Sequence, residues 1–254
     1  MEEVEEVEEV EEIGGWRIMA SVECRKSSAF VGCRLSFVAC LPAGRGVLPT
    51  QGKRATGEMC GKGWMMTVPT EPVPDVPNVF YYGDSISVGY TPSLTRKTKG
   101  RANLYHWMSC IYFPEPQNVV LRKFEEVGRL ADYDCVVFNN GLHSLHALWQ
   151  KATDEQAKQV YRDAVKAFRR AAPQAKLVYL NTTPQTGRKN AEGRVTDLGE
   201  LNDMVLRLNR LAAEVMAEEN VPVIDAYSLL VNRLDGLWCW CWRWCWCWCG
   251  CCGS

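Results

Sequence analysis

Between residues 78 and 230 the apolar positions follow two alternating rhythms. Short continuous runs, NVFYYG (78–83), NLYHW (103–107), CVVFNNG (135–141), KLVYLNTT (176–183) and VPVIDAY (221–227), read as strands. Apolar runs of this kind suit strands buried on both faces. Between them apolar residues return at helical spacing. Val119, Val120, Phe124 and Val127 do so after Pro116, and Val160, Tyr161, Ala164, Val165 and Phe168 do so from Asp154 up to Pro173. Leu201, Val205, Leu208, Ala212 and Val215 make a third stripe, ending at Asn220. Strand and helix in alternation predict parallel strands joined by right-handed crossovers. The expected fold is α/β, a three-layer sandwich around a five-stranded, mostly parallel sheet. Polar residues gather at the expected strand ends: Gly83-Asp84-Ser85, Asn139-Asn140-Gly141, Asn181-Thr182-Thr183 and Asp225. That edge is where an open parallel sheet binds its ligands.

Both ends of the chain break the pattern. The opening MEEVEEVEEVEEIGG repeats every three residues, which keeps Val4, Val7 and Val10 on one helix face for only about two turns. Its like charges repel at helical spacing, so a solvated, disordered tract is expected, with an acidic interaction tail as the functional alternative. Residues 17–64 hold no sustained period, and their only acids are Glu23 and Glu58. Read from Met19, this basic, Ser-containing stretch resembles an organelle transit peptide. A start at Met65 or Met66 accounts for it equally, which leaves a cytoplasmic and an organellar location both open. Prolines at 69, 72, 74 and 77 then make an extended entry, and the domain boundary is expected there. The expected organisation is a leader over 1–76, a domain over 77–237 and a tail over 238–254. In that tail Cys and Trp alternate almost strictly. Thiolates bind soft metals, but zinc sites use spaced Cys pairs, and Trp at every second position serves no ligand geometry. The tail reads as the translation of a short DNA repeat, and no metal is assigned to it.

Composition changes this picture little. The chain has 254 residues, a formal net charge of −1 and 47% hydrophobic residues, enough for one domain with a core. A near-zero charge gives no reason to propose nucleic acid or an anionic membrane as partner. No run of about 18 apolar residues predicts a membrane span. Of the 13 cysteines, only Cys110 and Cys135 fall within 77–237, so that region needs no disulfide framework.

A Gly-Asp-Ser at a strand end can be an ordinary turn, since Asp and Ser are good helix N-caps. Together, however, GDSIS after the first strand, FNNGLHSL after the third and LNTTP after the fourth resemble the SGNH/GDSL hydrolase superfamily, over roughly residues 77–230. The resemblance implies a flavodoxin-like fold and an ester hydrolase that needs no metal or cofactor and takes a small-molecule ester. Ser85 would be the nucleophile and Asp84 would order its turn. The Ser85 peptide N–H, with donors from the later blocks, would hold the oxyanion.

The chain departs from the family pattern in three blocks. The third usually reads Gly-x-Asn-Asp, and here Gly141-Leu142-His143-Ser144 stands in its place, with His143 at the Asn position. The donor role then falls to Asn139, Asn140 or His143, beside Gly141, or else the two asparagines only satisfy strand-end backbone. The second block usually brings a glycine. Gly100 precedes the second strand, and Ser109 and Cys110 lie nearest the expected position. The fourth block is Asp-x-x-His. Here Asp235-Gly236-Leu237 begins it, Asp235 being the candidate orienting acid, but Trp238 stands where the general base is expected. The only histidines are His106, His143 and His146. Three readings follow: a reading-frame slip that leaves the domain C-terminally truncated, a pseudoenzyme, or His143 or His146 as substitute base. The repeat-like tail favours the first. The alternative function is a non-catalytic module that holds a sugar or acyl ligand in the same pocket.

Overall fold

The computed structural model describes residues 3–13, 16–27, 30–42, 53–55, 65–69, 71–108, 132–139, 151–185, 187 and 197–231. In chain order the strands and helices are β1 (Glu3–Ile13), β2 (Trp16–Ser27), β3 (Phe30–Pro42), β4 (Lys53–Ala55), β5 (Met65–Val68), β6 (Asn78–Gly83), α1 (Ser85–Thr98), β7 (Asn103–Met108) and β8 (Cys135–Phe138). They continue with α2 (Asp154–Ala171), β9 (Lys176–Leu180), α3 (Asn202–Glu218), β10 (Val223–Ile224) and α4 (Ala226–Val231). The helix expected over 119–127 lies outside the described residues.

The main sheet runs β10-β9-β8-β6-β7-β5-β4, and every pairing from β10 to β7 is parallel. All five expected strands are there. Counted among themselves they take the order 2-1-3-4-5, a doubly wound order whose direction reverses between β6 and β8. The sheet has seven strands rather than five. β5 pairs antiparallel with β7, and β4 pairs antiparallel with β5. β4 has three residues and β5 four, too few for periodicity to register, yet they extend the hydrogen bonding past β7, which would otherwise be an open edge. A second sheet joins β1, β2 and β3 antiparallel, with Glu3 opposite Lys26 and Glu12 opposite Arg17. The sequence predicts no strand there, because the three-residue repeat of β1 has no period of two and residues 17–42 hold no sustained period.

Strand alternation sends two sets of side chains to the two faces of the sheet. Phe80, Tyr82, Val136, Phe138 and Tyr179 face α2 and α3, where they meet Val160, Val165, Phe168, Leu208 and Val215. The rings of Phe138 and Phe168 sit 4.6 Å apart at their centroids. Val79, Tyr81, Cys135, Val137, Val178 and Leu180 face α1 and α4, with Tyr90, Leu94 and Leu230. Helices on both faces make the three layers. None of the described helices is long and apolar enough to cross a membrane.

Helix α2 starts with a capping box. The Thr153 hydroxyl accepts from the Gln156 N–H at 3.2 Å, and the Gln156 side chain accepts from the Thr153 N–H at 2.9 Å. On the solvent side Arg162 joins Glu155 of α2 to Glu218 of α3, and Arg207 and Arg210 of α3 meet Asp154. These pairs are exposed and screened, so the apolar stripe does more to hold the two helices together. Thr153→Ala is expected to cost about 1 kcal/mol in urea unfolding, because the Gln156 N–H loses its acceptor.

Candidate active site

Strand β6 ends at Gly83, and α1 begins two residues later at Ser85. Asp84 between them is the N-cap. Its carboxylate Oδ1 accepts from the Ile86 N–H at 2.9 Å, and the residue is 1% exposed. The turn lies at the C-terminal end of the strand next to the switch point, the place where doubly wound sheets generally bind their ligands. The first N–H groups of a helix cannot be reached by any earlier carbonyl of that helix, and they carry its positive partial charge. A developing oxyanion at the Ser85 end of α1 would therefore be stabilised.

As a sequence, SISVGYTPSLTRKT is a poor helix, with Gly89 and Pro92 inside it and several β-branched residues. Its threonine hydroxyls find partners within it, Thr91 donating to the Ser87 carbonyl, Thr95 to Thr91 and Thr98 to Leu94, which satisfies them without adding helix stability. Tyr90 and Leu94 anchor it in the core. It closes at Gly100, whose φ of 70° is the left-handed turn that favours glycine. Gly100 thus ends a helix, and this accounts for it without an oxyanion role.

Beneath the turn lies a polar pair that no motif in the sequence marks. The Ser87 hydroxyl is 2.7 Å from His106 Nε2, and it donates to the Asp84 carbonyl at 2.5 Å. Ser87 and His106 are each 1% exposed. His106 sits mid-strand on β7, beside Tyr81 of β6 with ring centroids 5.7 Å apart. Burial lowers its pKa from 6.5 to about 3, so the imidazole is neutral at ordinary pH. The available signal was a histidine flanked by Tyr105 and Trp107 in a buried strand, on the same face as Tyr81.

The rest of the strand-end polar set is occupied in bracing the sheet. Asn139 donates its side-chain amide to the carbonyls of Leu180 at 2.7 Å and Asn181 at 3.3 Å. Both bonds run to the end of β9. Asn181 in turn donates to Asp225 Oδ1 at 2.7 Å and accepts from the Tyr227 N–H at 3.0 Å. Burial alone would raise the Asp225 pKa, but hydrogen bonds from Ser228 and Asn181 outweigh it and hold the carboxylate below its usual range. Thr182 is clamped at both its N–H and its carbonyl by the Asn209 amide. Asn140, Gly141, His143, His146 and Asp235 lie outside the described residues.

No protein-family model matches the chain, and no curated protein matches it. Among solved structures it is similar to a lipase/acylhydrolase from Enterococcus faecalis, at 13% identity, over 64% of this chain and 87% of that one, with a TM-score of 0.44. It is also similar to a GDSL-like lipase from Bacteroides thetaiotaomicron, at 14% identity, over 66% of this chain and 78% of that one, with a TM-score of 0.47.

Proposed function

We propose that the chain is an SGNH-type serine ester hydrolase acting through Ser85. The observation that carries this reading is the strand–turn–helix at Gly83-Asp84-Ser85, set beside the point where the strand order reverses. In this reading the Ser85 Oγ attacks the acyl carbon and the carbonyl oxygen takes the negative charge. The ester C–O bond then breaks and the alcohol leaves with a proton. Water next attacks the acyl-serine, which releases the acid and restores the hydroxyl. The Ser85 N–H and donors from Asn140 and Gly141 would hold the oxyanion, each worth about 3 kcal/mol in the transition state. Trp238 stands at the position of the general base, so the chain as written would turn over slowly, with His143 the candidate substitute base and Asp235 the candidate orienting acid.

One sequence feature favours a second reading, a non-catalytic module that binds a sugar or acyl ligand: Trp238 stands where the fourth block's general base is expected. His106, for its part, is committed to Ser87. Hydrolysis of a short-chain chromogenic ester by the full chain, measured beside Ser85→Ala, separates the two readings. Turnover lost by at least about 1,000-fold in the variant is the expected result. A folded wild type that binds the ester without turning it over would favour the binding module.

A further inference from the structure

We propose that His106 is a positioning residue that aims the Ser85 N–H, through Ser87 and the peptide unit between Asp84 and Ser85. The inference rests on the proposed hydrolase reading for its functional meaning, and on hydrogen-bond accounting for its geometry.

The Asp84 carbonyl has no proton to give, so the one hydroxyl proton of Ser87 goes to it, at 2.5 Å. His106 Nε2, at 2.7 Å from the same hydroxyl oxygen, must then be the N–H donor. The ring is therefore fixed as the Nε2–H tautomer, and its direction of donation runs from His106 to Ser87 to Asp84. The Asp84 carbonyl also accepts the Ser87 N–H at 3.0 Å, so it is held by two donors from one residue. A peptide unit is planar and trans, and its C=O and N–H point in opposite directions. Drawing the Asp84 carbonyl inward toward buried Ser87 thus turns the Ser85 N–H outward, toward the sheet edge. A misaimed donor of this kind loses most of its effect on an oxyanion.

A second feature supports the clamp independently. A Cβ on Gly83 would lie 2.7 Å from the Ser87 Cβ and 3.0 Å from its Oγ. Strand β6 gives up its side chain at the one place where Ser87 must seat. Histidine also suits its position as a donor that carries no charge, since an ionised group would be costly among Tyr81 and the surrounding core.

The test compares His106→Gln, which keeps a neutral N–H donor at nearly the same place, with His106→Leu, which removes it. Two readouts are taken on the full chain. One is the rate at which a fluorophosphonate labels Ser85, read by mass; the Oγ–P bond forms, the P–F bond breaks, and fluoride leaves with the hydroxyl proton. The other is the amide chemical shift and hydrogen exchange of Ser85. His106→Leu is expected to slow labelling by about 10-fold or more and to move the Ser85 amide resonance, and His106→Gln to restore both. Equal behaviour of the two variants in both readouts overturns the proposal, because packing alone would not distinguish a donor from its absence. Should His106→Leu fail to fold, Ser87→Ala replaces it with the same expectations. A wild type that does not label at Ser85 counts against the hydrolase reading. The amide resonance then decides the clamp: movement restored by glutamine upholds it, and no movement sinks it.

Discussion

Between pH 7 and pH 4 the native protein is expected to lose on the order of 3 kcal/mol of stability through His106 alone. The sign follows from where the proton binds. In the unfolded chain His106 titrates near its ordinary 6.5, and in the folded protein burial lowers that to about 3. Between those values the unfolded state takes up a proton that the native state refuses. Stability is full above the unfolded value and falls as the pH drops, at about 1.4 kcal/mol per pH unit. Single domains commonly have about 5–15 kcal/mol in all, so the loss is large. Carboxylates contribute in a different window. Asp154, paired with Arg207 and Arg210, and Glu214, paired with Lys158 and Arg210, are both held below their usual range and give way only at lower pH. Urea midpoints at pH 7, 6, 5 and 4.5 for the wild type and His106→Gln check the claim. The two curves should converge as the pH falls, since the variant has nothing to protonate at this position. Parallel curves would mean that His106 takes its proton in the folded state and that its site is wetter than its 1% exposure indicates.

Gly83→Ala is expected to cost about 1–3 kcal/mol and to displace Ser87 from His106. Its Cβ would approach the Ser87 Cβ to 2.7 Å and a ring carbon of Tyr81 to 3.0 Å, and neither neighbour is the free end of a flexible side chain. Gly89, six residues on in the same turn-and-helix segment, makes a built-in comparison. A Cβ there meets nothing within 4 Å, and the position is exposed in the middle of α1. Gly89→Ala should therefore stabilise by about 0.5–1 kcal/mol, through helix propensity alone. Opposite signs for the two substitutions in chemical denaturation are the expected outcome. A neutral Gly83→Ala would show that the strand end can shift at little cost, and the tight seat of Ser87 would lose its meaning.

The parallel strands were legible because a strand buried on both faces needs an unbroken apolar run, and NVFYYG, CVVF and KLVYL each supply one. Helices α2 and α3 were legible because their buried residues return at 3.6-residue spacing. Helix α1 was not. Its Gly, Pro, Ser and Thr content carries no helical signal, and its order comes from the Asp84 cap and two core anchors. Strands β4 and β5 were missed for the opposite reason: they are too short to show a period and exist as pairing partners for an edge.

The candidate site divides in the same way. Sequence order by itself determined that Asp84 and Ser85 follow the first parallel strand, and that the asparagines and Asp225 fall at the ends of later ones, because chain position along an alternating α/β pattern maps directly onto one sheet edge. Only the tertiary structure decided what each polar group does there. Asn139 could have faced the candidate site or the backbone, and it gives its amide to the end of β9. His106 and Ser87 are 19 residues apart, and nothing in their spacing pairs them. They meet because β6 and β7 lie side by side, with Tyr81 opposite His106, while α1 packs over the same face. A hydrogen bond needs two particular atoms within about 3 Å, and only the packing of strand, turn and helix brings atoms that close.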